Sequence, residues 1–415
     1  QLKPDLKWSD GEPLTADDVK FTFEAVSSPD SGVLLETGAE LVDSIDTPDD
    51  QTVVVKYKSV NQAYLNQFRF AVFPRHAIPA DQPMKEWEYN RNPISAGPYV
   101  VSEWAAGDSI VMTKNPHYYE PGLPHLDTLI FKVVPDLAAQ TAMMMQGEAQ
   151  VHLWPGVTKE EYDQSVAGVA SQAMVPGQWN LALRFNLSRP FDDDPSANDP
   201  HPILGDLRVR QALAYAIDRP AICESLYSGV CKPYNSYMES STWLAPDLNP
   251  YEYNPDKAKE RLAAAQADGA WDPNNELKVV WYYADALHQD IMAAIQQNLA
   301  DVGIKTQLQF LEGTAATDAQ SSCDFDLYYQ GWGFSFPEDY DSFFTDAERC
   351  TTPWGDADAK ALFDKTTTTP DEAERRALHN ELQTRLNDEL PMLPFLQFTG
   401  VVALNSRVSG FDDDA

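Results

Sequence analysis

The sequence predicts an α/β protein of at least two domains, and three observations predict it. Its 415 residues exceed what one core holds, since single cores stop growing near roughly 250–300 residues. With 43% hydrophobic and 11% aromatic residues it can bury a sizeable core, which excludes a disordered chain. Helix-period and strand-period segments alternate from about residue 206 to residue 390, as layered α/β architecture requires.

The elements follow in order. Asp10-Gly11 makes a turn, and Thr15 N-caps a helix whose Asp18 completes a capping box. Val19, Phe23 and Val26 fall on one apolar face of that helix. Thr52 to Tyr57 alternates as a strand. Strands follow at Pro98–Trp104, Ile110–Lys114 and Leu129–Val134, then a helix at Ala138–Gln146. Val151–Trp154 and Leu181–Phe185 are again strand-like. Val209, Ala212, Leu213, Ala216 and Ile217 form an amphipathic stripe. Leu277–Tyr283 is a strand, His288–Val302 a helix stopped by Gly303, and Lys305–Leu311 a strand. A last helix from Pro370 to Glu389 ends at Pro391, before the apolar run Leu393–Leu404.

Composition narrows the function classes. A net charge of −34 argues against nucleic acid or an anionic membrane as partner, and reads as a solvated surface. No run approaches the ~20 apolar residues that span a bilayer, and the start shows no signal peptide. Catalytic motifs are absent: no Gly-x-Ser-x-Gly elbow, no His-Glu-x-x-His, no P-loop and no Gly-x-Gly-x-x-Gly. His117 and His125 sit in turn-like, solvated sequence. No metal-ligand spacing and no cofactor motif appears. Asp192 to Asp199 offers oxygen ligands for calcium but lacks the spacing of a known loop, so a solvated loop is the simpler reading. Four cysteines allow three pairings. The sequence-local pairs Cys223–Cys231 and Cys323–Cys350 demand least of the fold, with free buried thiols as the alternative.

Certain stretches are more specific than periodicity. Lys7-Trp-Ser-Asp-Gly-Glu-Pro-Leu-Thr-Ala-Asp-Asp-Val-Lys-Phe-Thr-Phe-Glu24 resembles the signature of the family 5 extracellular solute-binding proteins, the peptide receptors of ABC importers. Ser95-Ala-Gly-Pro-Tyr-Val-Val-Ser-Glu-Trp104, Lys114-Asn-Pro-His-Tyr-Tyr119 and Asp206-Leu-Arg-Val-Arg-Gln-Ala-Leu-Ala-Tyr-Ala-Ile-Asp-Arg219 resemble further family segments. Gly331-Trp332 and Arg407-Val-Ser-Gly-Phe411 complete the order.

The resemblance implies a two-lobed, class II periplasmic-binding-protein-like fold. Residues 1–94 would be an incomplete extra subdomain of lobe I, 95–182 lobe I, 183–397 lobe II and 398–415 a return to lobe I. Two crossings between lobes, near 180–186 and 391–398, would form a hinge. It also implies an exported, disulfide-permissive setting, periplasmic or as a cell-surface lipoprotein, with the leader and part of lobe I preceding residue 1. The implied protein is a monomer and not an enzyme; it hands an oligopeptide or dipeptide to an ABC permease. An oligosaccharide receptor of the same family, nickel complexes as ligand, and a secreted peptide or glycoside hydrolase are the alternatives.

For the ligand, the informative segment is Phe325 to Tyr340, an alternating strand running into an acidic and aromatic loop at a sheet edge, where α/β lobes meet ligands. It supplies Tyr329, Trp332, Ser335, Glu338 and Asp339. Peptide-binding members of the family commonly carry an aspartate three residues after this tryptophan, facing the ligand's α-ammonium. Ser335 stands there instead, a neutral hydrogen bond where a carboxylate would give one roughly twice as strong; Glu338 and Asp339 are near enough in sequence to substitute. Trp154, Trp179 and Trp243 add aromatic faces that suit peptide side chains or sugar rings.

Overall fold

The computed structural model describes residues 1–28, 31, 39–62, 64, 68–79, 82–154, 170–187, 201–227, 231–238, 243–331 and 357–408; of residues 137, 153, 154, 170–179, 321 and 398–403 it describes the backbone alone. The chain forms two compact units, Gln1–Ala139 and Gln140–Ala415.

In the first unit, helix α1 (Ala16–Val26) starts with the capping box that Thr15 and Asp18 predict. Gly11, at φ +94°, makes the preceding turn, and a Cβ there would meet the His117 ring at 3.3 Å. Strands β1 (Val42–Asp49) and β2 (Thr52–Tyr57) pair antiparallel. Strands β3 (Tyr99–Ala105), β4 (Ser109–Lys114) and β5 (Thr128–Lys132) form an antiparallel meander. Asn115, buried at the end of β4, ties this meander together: its backbone N donates to Pro98 O, its amide donates to Gly97 O at 2.8 Å, and its side-chain oxygen accepts from His117 N at 2.9 Å. The Gly-Pro-Tyr and Asn-Pro-x-Tyr stretches are thus two halves of one hydrogen-bonded corner.

The second unit is built on a seven-stranded sheet ordered β10-β9-β11-β7-β12-β6, with β8 also on β12. The strands are β6 (Val151–Trp154), β7 (Ala170–Phe185), β8 (Cys231–Pro233), β9 (Glu276–Trp281), β10 (Lys305–Phe310), β11 (Leu327–Gly331) and β12 (Met392–Asn405). Between β9 and its parallel neighbour β10 runs helix α6 (Ala286–Asp301), and Gly303 at φ +89° follows it. Strand β11 is parallel to β9 and antiparallel to β7. The two segments proposed as crossings, 180–186 and 391–398, lie side by side in the β7–β12 ladder.

Alternation within these strands separates two covered faces. Leu181, Leu183, Phe185, Leu277, Val279, Leu327, Tyr329, Leu393 and Phe395 join the main core with α3 (Leu207–Ala216), α4 (Arg219–Tyr227), α5 (Pro255–Ala267) and α6. Ala182 and Met392 face the other way, onto α8 (Ala357–Thr368) and α9 (Glu372–Glu389); α2 (Leu137–Gln146) and α7 (Gly313–Ser321) are the intervening helices in chain order among the described residues. Helix α3 is buried nearly all round: Arg210, Ala214 and Tyr215 are buried along with the predicted stripe. The predicted Cys223–Cys231 disulfide joins α4 to β8. Cys323 is disulfide-bonded as well; Cys350, the partner assigned to it from sequence, lies outside the described residues.

Two buried arginines fix the second unit. Arg219 is 2% exposed and donates to the carbonyls of Tyr234 (2.7 Å), Tyr251 (2.9 Å), Pro394 (3.0 Å) and Pro250. Burial lowers its pKa to about 10, so it keeps its charge at neutral pH. Arg210 donates to Glu389 O at 2.7 Å and to Leu204 O and Gly205 O. A helix leaves its last carbonyls without intrahelical partners. Around the end of α9 those of Asn387 and Glu389 receive Tyr251 Oη and Arg210, while Leu386 O, already bonded by Leu390 N, also accepts from Tyr237 Oη. Leu390 then takes a left-handed conformation, φ 46°, and turns the chain into β12.

Candidate functional site

The ends of β9 and β11 converge where the sequence places ligand binding. Gly331 N donates to the Tyr283 hydroxyl at 2.7 Å, and a Cβ on Gly331 would sit 3.0 Å from that oxygen. The hydroxyl therefore occupies the side-chain space of residue 331, which is why β11 ends in glycine. Tyr282 Oη donates to Tyr283 Oη at 3.1 Å. The Tyr283 ring stacks on His288 with centroids 4.3 Å apart. Asp285, N-cap of α6, accepts from His288 N at 3.0 Å and pairs with His288 Nδ1 at 2.7 Å. Burial pushes the Asp285 carboxyl up, but its hydrogen bonds from His288 prevail and hold it below the ordinary carboxylate value. Burial raises the Tyr283 and Tyr329 hydroxyls well above theirs, so both remain protonated donors at neutral pH.

Of the sequence-predicted site residues, Tyr329 is completely buried, edge-on to Tyr283 and Phe395. In this placement it packs against the core. Trp243 is half-buried beside α9: the Arg376 and Arg375 guanidinium groups lie 4.3 and 5.4 Å from its ring centroid, His379 packs edge-on to it, and its carbonyl accepts from Gln383 Nε2. Trp154 and Trp179 stand on β6 and β7, opposite Val401 and Phe398 of β12, with their side chains outside the description. Trp332, Ser335, Glu338, Asp339 and the Asp192–Asp199 loop lie outside the described residues. A depression of about 410 Å³ along α9, lined by Glu372, Arg376 and Asn380 among others, contains none of the predicted binding residues.

Sequence reasoning missed the polar residues that the sheet buries. Asn180, Gln330 and Gln397 are 4%, 6% and 6% exposed, at the β11 end of the face opposite the main core. The signal available was alternation: Asn180, Ala182 and Arg184 against Leu181, Leu183 and Phe185. An alternating strand ordinarily reads as half-solvated, whereas here both faces are covered. Among the described residues no cluster of His, Cys, Asp and Glu has metal-site geometry, and no helix is long and apolar enough to cross a membrane.

Comparison with known proteins places this scaffold. A Brucella ovis protein assigned provisionally as an ABC transporter peptide-binding protein is 32% identical over 305 residues, covering 72% of this chain and 54% of that protein. The chain thus spans about half the length of that relative. The oligopeptide-binding protein AppA of Bacillus subtilis is 29% identical over 369 residues, 83% of this chain and 64% of AppA. The structure of B. subtilis AppA in complex with a nonapeptide superposes with a TM-score of 0.81 at 24% identity, covering 99% of this chain and 83% of that one; at that identity it supports the two-lobed periplasmic-binding-protein fold alone. The family model of the bacterial extracellular solute-binding proteins, family 5, matches residues 1–349, so the chain belongs to that family.

Proposed function

We propose that this chain is an extracytoplasmic receptor that captures an oligopeptide or dipeptide and delivers it, unreacted, to an ABC import permease. The observation that carries the reading is its 32% and 29% identity to relatives named for peptide binding. The motif words of both units support it, since they coincide with the hydrogen-bonded corners that shape this scaffold. Residues 95–182 with 398–415 as one lobe and 183–397 as the other remain the lobe assignment, with Trp332, Ser335, Glu338 and Asp339 as ligand contacts. Either a periplasmic or a lipid-anchored form fits this role.

The test is calorimetric titration with peptides of two to nine residues, alongside linear oligosaccharides and with product analysis. Peptides should bind without turnover, and Trp332→Ala should weaken them by about 1–3 kcal/mol, the scale of one buried aromatic contact. Binding of sugars and of no peptide would overturn the reading, as would multiple turnovers by purified protein.

A further inference from the structure

The second face of the seven-stranded sheet turns polar at one end. On β7, Leu181, Leu183 and Phe185 enter the main core, which leaves Asn180, Ala182 and Arg184 on the opposite face. Register sets Gln397 of β12 beside Asn180 and Gln330 of β11 beside Ala182. Three primary amides therefore stand on three adjacent central strands, where β11 ends at Gly331 and the chain runs on to Trp332.

Asn180 is the informative member. It is 4% exposed, and neither its amide oxygen nor its amide nitrogen has a hydrogen-bond partner. An unpaired buried amide costs the desolvation of both groups, and an apolar side chain of the same shape would be neutral or stabilising. Folding alone therefore gives no reason for asparagine here. A side-chain amide offers two donors and an acceptor in one plane. The N–H and C=O of one residue in an extended peptide point to the same side and present the complementary donor and acceptor, and both partners are neutral.

We propose that the Asn180 side-chain amide receives the main chain of one extended residue of the bound ligand, donating to that residue's carbonyl and accepting from its N–H. The proposal rests on the peptide-receptor reading above and deepens it. It assigns to this site a contact that reads peptide backbone irrespective of side chain, with Gln330 and Gln397 extending the same neutral floor.

The probe is pentaalanine, which has no side-chain function, together with the four derivatives in which one backbone amide is N-methylated. Calorimetry and thermal melts would be run on the wild-type protein and on Asn180→Leu. Asn180→Leu should melt at or above the wild-type temperature and bind pentaalanine at least tenfold more weakly. One N-methyl derivative should lose about tenfold on the wild type and nothing further on Asn180→Leu, a coupling that a purely structural role would not produce. If Asn180→Leu does not fold, Asn180→Ala carries the same comparison. Equal affinity of wild type and variant for pentaalanine, or identical N-methyl profiles, overturns the proposal while leaving the receptor reading intact. So does a wild-type protein that binds peptides with charged or aromatic side chains but not pentaalanine. A wild-type protein that binds no peptide of two to nine residues overturns the receptor reading, and this proposal with it.

Discussion

The two units are pinned by hubs of opposite sign. In the first, the Asp18 carboxylate, 4% exposed, accepts from Thr15 N at 2.8 Å, Arg75 N at 2.9 Å and Trp8 Nε1 at 3.3 Å. In the second, the Arg219 guanidinium gathers four carbonyls. One is an anion that collects orphan N–H groups, the other a cation that collects orphan C=O groups. Their surroundings differ as much as their charge. Among the described residues the contiguous buried apolar clusters all lie in the second unit. The first unit relies on local aromatic contacts such as Phe23–Phe68 and Phe73–Trp87, and leaves Ile130 and Leu126 of its β5 region 65% and 62% exposed. A hub inside a continuous core fixes the geometry of segments that burial already holds together. A hub in a thin unit carries a larger share of the holding itself.

Arg219→Met is the strongest way to break the comparison. It removes the charge and leaves four buried carbonyls from distant segments without their donor, a loss on the order of 3–5 kcal/mol for several unsatisfied buried acceptors. Urea unfolding should show it, with hydrogen exchange accelerating throughout 201–310 and 372–397. A loss under about 1 kcal/mol would mean that water replaces the guanidinium and that the core needs no hub.

Asp18→Ala should cost less in total, about 1–3 kcal/mol for donors left without an acceptor, and its effect should be confined. Amide exchange at Thr15 and Arg75 should quicken along with the rest of 1–139, while β9 and β11 keep their protection. Equal acceleration in both units would show that they do not hold separately, and the contrast drawn here would fail.

These hubs also explain what was legible in the sequence. The stretches from Lys7 to Glu24 and from Asp206 to Arg219 were recognisable as words, and each contains its unit's hub. Hydrophobic periodicity cannot register a buried aspartate or arginine, because it scores them as surface. The same blindness hid Asn180. Its strand alternates, and only the covering of both faces by separate parts of the chain turns the polar row into an interior. Strand β1, Val-Asp-Ser-Ile-Asp-Thr-Pro-Asp from Val42 to Asp49, was invisible for the reverse reason: acidic and proline-containing, it is a strand through its pairing with β2. The alternating strands β2, β4 and β10 and the long helix α6 were legible, since each carries its period in its own residues.

The smallest expected effect is a pH dependence that belongs to the second unit. His379 of α9 is 1% exposed and packs edge-on to Trp243, the ring that Arg375 and Arg376 also cover. Burial foremost, then the charge of those two arginines, pushes its pKa from the ordinary 6.5 down to about 3. The folded protein thus holds a neutral imidazole where the unfolded chain takes up a proton below pH 6.5. Stability is complete above that pH and declines as pH falls, until the folded form also protonates near 3. One group gives at most about 1.4 kcal/mol per pH unit, so acidifying from pH 7 to 5.5 should cost about 1 kcal/mol. Half-buried His152, also shifted downward by burial, adds to the same limb. The depressed carboxylates, Asp206 and Asp285, titrate below 3.8 and contribute only in stronger acid. His379→Leu should therefore flatten the stability profile between pH 6.5 and 5, with the gain located by hydrogen exchange in α8 and α9. A variant that kept the full acid slope would assign it to His152 or elsewhere, and would mean that the folded protein admits a proton at His379 after all.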